Sequence, residues 1–132
     1  MKTSEADILI IPGWSSSGPD HWQTRWEKNL KTARRVEQED WIRPDKDQWV
    51  ARIVEAAAQS VRPVVIVAHS LGAVAVAHAG AKLARLPAPP VGAFLVAPAD
   101  VDNAGGWPVT EGETFGASQE TGFAPMPKFI LP

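Results

Sequence analysis

The chain has no cysteine and no tyrosine among its 132 residues. Without cysteine there is no disulfide framework, no thiolate zinc site and no cysteine nucleophile. Surplus positive charge is missing too, since 13 Lys and Arg face 15 Asp and Glu, a formal charge of −2. A phosphate backbone would meet no basic surface, so nucleic acid is not an expected partner. No apolar run approaches the roughly 20 residues that cross a bilayer. Residues 1–7 carry two acids with no apolar core behind them, unlike a signal peptide. The expectation is a cytoplasmic protein with no membrane partner and no metal site.

What is present fits one soluble domain over residues 1–132. At 45% hydrophobic residues, a chain near this size can bury roughly two-thirds of the surface its unfolded form exposes. Trp14, Trp22, Trp26, Trp41 and Trp49 all fall in the first 49 residues, which suggests helices packed against a sheet. Ile8 to Ile11 reads as a buried strand stopped by Pro12-Gly13. After a Ser- and Gly-rich loop, Asp20 is expected to cap a helix, with Gln23 reaching back as in a capping box. Trp22, Trp26 and Leu30 give that helix one apolar face. Residues 34–41 alternate weakly, as in a second, more exposed strand. Pro44-Asp45-Lys46-Asp47 opens a helix carrying Trp49, Val50, Ile53, Val54 and Ala57.

Val64 to Ala68 is an unbroken apolar run, as expected of a central parallel strand covered on both faces. It leads through His69-Ser70-Leu71-Gly72 into an Ala-rich helix from Ala73 to Leu86, and Val91 to Ala97 forms a fourth strand. This alternation predicts an α/β fold with a parallel sheet and right-handed crossovers. From Ala99 onward it stops, and residues 99–132 read as a lid or a poorly structured tail.

The segment 64–72 carries the chemistry. A nucleophile elbow needs a strand, a sharp turn that strains its Ser, and a helix directly behind, with small residues two positions either side of the Ser. Ala68 and Gly72 are those small residues and Ser70 is the candidate nucleophile. Its place at a helix N-terminus favours developing negative charge, and the Leu71 N–H is a natural oxyanion donor. The plainer alternative is an ordinary N-cap serine.

Pro12-Gly13-Trp14, Ser17-Gly18-Pro19-x-His21-Trp22-Gln23-x-x-Trp26-Glu27, Ala68-His69-Ser70-Leu71-Gly72, Leu95-Val96-Ala97-Pro98 and Phe123-Ala124-Pro125-Met126-Pro127 together resemble the small serine-hydrolase family typified by retinoblastoma-binding protein 9 and the bacterial YdeN-like proteins. The resemblance spans most of the chain. It implies a compact three-layer α/β-hydrolase-like fold with strand order 2-1-3-4, a Ser-His-Asp triad and no cofactor. Ligands then bind at the C-terminal strand ends where the strand order reverses. Ser70 would attack an acyl carbonyl while the N–H groups of Leu71 and Trp14 hold the oxyanion. Gly13, Trp14, Ser15 and His69 would line the substrate pocket.

The resemblance also places the family's acid and base after a fifth and a sixth strand, downstream of 123–127. Both are therefore expected to be missing from this chain, as if it were shortened at its C-terminal end. Asp100 and His21 are the candidate substitutes; His78 lies too far along its helix from Ser70. The expected function is hydrolysis of small carboxylic esters or amides through an acyl-enzyme on Ser70, with a non-catalytic ligand-binding protein as the alternative. A phosphate binder at Ser15-Ser16-Ser17-Gly18 ranks below both, because neither Gly-x-Gly-x-x-Gly nor a P-loop is present. With no further strands, the fourth would be an open sheet edge available for self-association.

Overall fold

In a computed structural model of the chain, residues 1–101 are described. The 123–127 motif and most of the 99–132 tail lie outside the described residues. A short 3-10 turn, Thr3–Glu5, precedes β1 (Asp7–Ile11), α1 (Trp22–Asn29), β2 (Ala33–Arg35), α2 (Lys46–Ala58), β3 (Val64–His69), α3 (Leu71–Ala84) and β4 (Gly92–Val96). The four strands form one parallel sheet in the order β2-β1-β3-β4, which is the order the family resemblance implied.

Alternation along β1 divides the core between the two sheet faces. Leu9 and Ile11 join Ile66, Ala68 and Leu95 under α2 and α3, where Trp49, Ile53, Leu71 and Val74 are buried. Ile8, Ile10 and Val67 face α1 on the other side, against Trp22, Leu30 and Phe94. The alanines at 73, 75 and 79 are fully buried and let α3 lie close to the sheet.

Two sequence expectations need correction. The second strand is three residues long rather than spanning 34–41, because the chain turns away to bury Val36 and Gln38 beside α2. The α1 cap is His21 rather than Asp20: the His21 Nδ1 accepts the Gln23 N–H at 3.1 Å. Gln23 is therefore not a capping-box residue, and its side chain serves the sheet instead.

At the opposite end from Ser70, β1 opens on a buried carboxylate. Asp7 accepts the N–H groups of Val61 and Arg62 at 3.0 and 2.9 Å and the Arg62 guanidinium at 3.1 Å, with Arg34 at 3.8 Å. Burial pushes the Asp7 carboxyl up, but the Arg62 and Val61 donors and the Arg34 charge outweigh it and hold it below the usual carboxylate range. A group depressed in the folded state contributes stability above its unfolded pKa and loses it as pH falls through the folded value. Asp7→Asn is thus expected to cost about 2–3 kcal/mol at neutral pH, with the difference from wild type shrinking below about pH 4. Urea melts of both proteins at pH 7 and pH 3 check this.

Candidate active site

Ser70 joins β3 to α3 with φ 54° and ψ −122°. That is a conformation L-residues avoid, at a cost of order 1–3 kcal/mol. An ordinary N-cap serine sits in the β region and bonds a helix N–H. The Ser70 hydroxyl makes no such bond. Its backbone is fixed instead by its N–H donating to Val96 O at 3.0 Å and by its carbonyl, which accepts from Ala73 at 3.0 Å. The turn can be this sharp because Gly72 has no side chain. A Cβ there would lie 2.4 Å from Ile11 O and 2.5 Å from Pro12 O.

The loop after β1 meets this turn. A Cβ on Gly13 would stand 3.2 Å from each of Leu71 N, Ser70 Cβ and His69 O, so the Gly13 backbone runs directly beside Ser70 and the first N–H of α3. That N–H has no acceptor within its own helix. Trp14 is 41% exposed and anchored by its indole N–H to Ile42 O at 2.9 Å. Ser15 and Ser16 both have positive φ, 61° and 64°, a strain of about 1–2 kcal/mol each. Ser15 is exposed and donates its N–H to Trp41 O at 3.0 Å, while Ser16 N–H returns to Gly13 O at 3.1 Å.

Two residues not recognised from sequence hold this end of the molecule together. Gln23 is wholly buried; its amide NH₂ donates to Ile11 O at 3.1 Å and Val67 O at 3.2 Å, and its carbonyl accepts the Ser17 hydroxyl at 2.7 Å. It thereby satisfies two carbonyls of neighbouring strands and pins the loop to them. Arg35 donates to Glu27 at 2.8 Å, to the Ser16 hydroxyl and Ser17 O at 3.0 Å each, and to the Thr24 hydroxyl at 2.8 Å. The pairing of Arg35 with Ile10 puts its side chain on the α1 face of the sheet, since register partners share a face. That register is not written in the local sequence. The one available signal was a loop rich in hydroxyls with no cation of its own.

The structure places the remaining candidates around this centre. His69, at the end of β3, packs its ring edge-on against His21 at 4.8 Å and Trp22 at 5.9 Å. Trp22 in turn meets Trp26, which lies 6.0 Å from Phe94. Burial, with the His21 charge second, pushes the His69 imidazole below its ordinary pKa; burial and then Arg35 do the same for His21. Because His21 Nδ1 is engaged by the Gln23 N–H, the neutral ring carries its proton on Nε2 and is a donor there. A base would need the opposite arrangement. Asp100 is exposed and lies beyond the end of β4. Among the described residues, no group of three or more His, Asp or Glu could hold a metal ion, and no helix is long and apolar enough to cross a membrane.

A serine held in a forbidden turn at the C-terminal edge of a parallel sheet, ahead of a helix N-terminus, defines a protein of the α/β-hydrolase type. The family model described as serine hydrolase matches residues 8–131, and the chain belongs to that family. Among solved structures it is similar to the crystal structure of a YdeN-like hydrolase of Pectobacterium atrosepticum. The two are 30% identical, with a TM-score of 0.65 over 73% of this chain and 50% of that one. This chain therefore spans about half the length of that hydrolase. None of the curated proteins matches it.

Proposed function

We propose that Ser70 is the nucleophile of a serine hydrolase acting on small carboxylic esters or amides. Its strained turn is read as a nucleophile elbow, and the observation that carries this reading is the joint placement of Ser70, Leu71 N and Gly13. The Ser70 hydroxyl attacks the acyl carbonyl. The carbonyl π electrons move onto oxygen, where the Leu71 and Trp14 N–H groups hold the charge and the α3 dipole supports it. The hydroxyl proton passes to a general base, which returns it to the leaving oxygen or nitrogen as the adduct collapses, so that the alcohol or amine departs and an acyl-enzyme remains. Water then attacks that ester, giving the carboxylic acid and restoring the Ser70 hydroxyl. The family resemblance locates base and acid in segments that follow 123–127. Gly13, Trp14, Ser15 and His69 shape the pocket, with His21 supporting it through its cap. The substrate is a small molecule, and the Cys-free, slightly acidic composition suits a cytoplasmic enzyme with no nucleic-acid partner; the family resemblance implies no cofactor.

The test is a fluorophosphonate probe with peptide mapping of the adduct. Attachment at Ser70 is the expected result, and an unlabelled, folded protein removes the catalytic assignment. A second reading, a ligand-binding protein on the same pocket, draws on the engaged lone pair of His21. It predicts unaltered ligand binding in Ser70→Ala with no turnover in wild type.

Self-association through β4 is the partner reading that the fold supports. Among the described residues β4 is an edge strand, and Val91 just before it is 60% exposed. An apolar groove of about 620 Å³ between α3 and β4, lined by Val76, Leu83, Pro90 and Leu95, adjoins that edge. Light scattering is expected to show mass rising with concentration; a constant monomer mass would overturn it.

A further inference from the structure

The oxyanion loop does not hold its own shape. Two successive residues with side chains, Ser15 and Ser16, are left-handed, and the loop's internal backbone bond from Ser16 N–H to Gly13 O at 3.1 Å spans a single turn. Its conformation is imposed from two sides. On one side it is tied to the segment before α2, through Ser15 N–H to Trp41 O and the Trp14 indole to Ile42 O. On the other side stands Arg35.

The planar guanidinium bonds two parts of the fold at once, α1 and the loop. One edge is fixed by Glu27 and Thr24 of α1, and Nη1 bonds both the Ser16 hydroxyl and the Ser17 carbonyl. Thr24 closes the arrangement by donating its own hydroxyl to Gly18 O at 2.7 Å. A lysine cannot reproduce this, because an ammonium is a point donor without a fork.

We infer that Arg35 is the positioning residue of the oxyanion loop: by locking Ser16 and Ser17 to α1 and β2 it keeps the Trp14 N–H aligned beside the Leu71 N–H. This rests on the proposed role of Trp14 and Leu71 at Ser70. Arg35 touches no reacting atom and acts through the loop alone.

Two measurements on the protein test it, with Arg35→Met, Arg35→Lys and the milder Ser16→Ala, which removes one acceptor and should fold if Arg35→Met does not. The first is amide hydrogen exchange. Residues 13–17 are expected to exchange at least about tenfold faster in Arg35→Met, with residues 66–68 of β3 unchanged and Ser16→Ala in between. The second is the phosphonylation rate per titrated Ser70. In Arg35→Met kinact is expected to fall about 10- to 100-fold with the inhibitor's binding constant unaltered, because misplaced donors weaken the transition state more than the ground state. Arg35→Lys is expected to recover only part of that loss.

Wild-type exchange rates in the loop of Arg35→Met and Ser16→Ala overturn the inference. So does acceleration spread equally over loop and β3, which would mark Arg35 as merely structural. An unreactive wild type would remove the hydrolase reading instead and leave the exchange arm to decide on Arg35.

Discussion

Ser70→Gly is expected to abolish phosphonate labelling and, in the same protein, to raise the melting temperature. The labelling result follows from the proposed role of Ser70, since the substitution removes the hydroxyl oxygen that would attack the probe. The stability result follows from the backbone: at φ 54° and ψ −122° a side chain is strained by about 1–3 kcal/mol, and glycine is not. Glycine also loses more conformational freedom on folding, by roughly 0.5–1 kcal/mol. The net gain is then about 1 kcal/mol, or roughly 3–5 °C for a chain of this size. Ser70→Ala is the control, because alanine keeps the strained Cβ and should lose labelling with little change in melting. If Ser70→Gly melts at or below wild type, the turn is not storing strain and the fold does not sacrifice stability to present this serine.

What the residues disclosed locally and what they withheld divide along a physical line. The β3 run, the turn at Ser70 and the Ala-rich helix behind it are consecutive in sequence, so hydrophobic runs and the small residues Ala68 and Gly72 made them legible. The start of α2 within Pro44-Asp45-Lys46-Asp47 was legible for the same reason; the structure adds that Asp45 is its cap, accepting the Gln48 N–H at 2.9 Å. The sheet order came from the family resemblance rather than from any pattern in the residues. Contacts that depend on cross-strand register stayed hidden. Gln23 looked like a helix-cap partner because it lies three residues after Asp20, yet its amide reaches Val67, 44 positions away. Nothing in the local sequence singles out Arg35; its pairing with Ile10 is what turns it toward α1. The tryptophans divided too. Trp49 is 1% exposed and packs under the sheet as expected, whereas Trp26 at 38% and Trp14 at 41% face solvent near the site.

Gly72→Ala is expected to damage the molecule more than any substitution at Ser70, although it adds a single methyl group. On an ordinary helix the change would help, since alanine is favoured over glycine by about 1 kcal/mol. Here the new Cβ would meet two backbone oxygens at 2.4 and 2.5 Å and the Pro12 carbonyl carbon at 2.9 Å. Those atoms are backbone at the end of β1 and the start of the loop that follows, so no flexible side chain can yield. Either α3 lifts off the sheet or the β1 terminus moves, and both disturb the fully buried contacts of Ile11, Leu71 and Ala68. Overpacking of this kind costs about 1–3 kcal/mol, occasionally more, which lowers the melting temperature by several degrees. The same displacement carries Gly13 away from Leu71 N, and under the proposed function a shift of order 1 Å there is expected to cost about 100-fold in the labelling rate. Gly80 supplies the comparison inside the same helix: it is exposed and a Cβ there meets nothing within 4 Å. Gly80→Ala is therefore expected to raise the melting temperature slightly and leave Ser70 labelling unchanged. Equal melting shifts for the two alanine variants would show that strand and helix do not touch at Gly72, and the close approach that makes the turn at Ser70 possible would have to be abandoned.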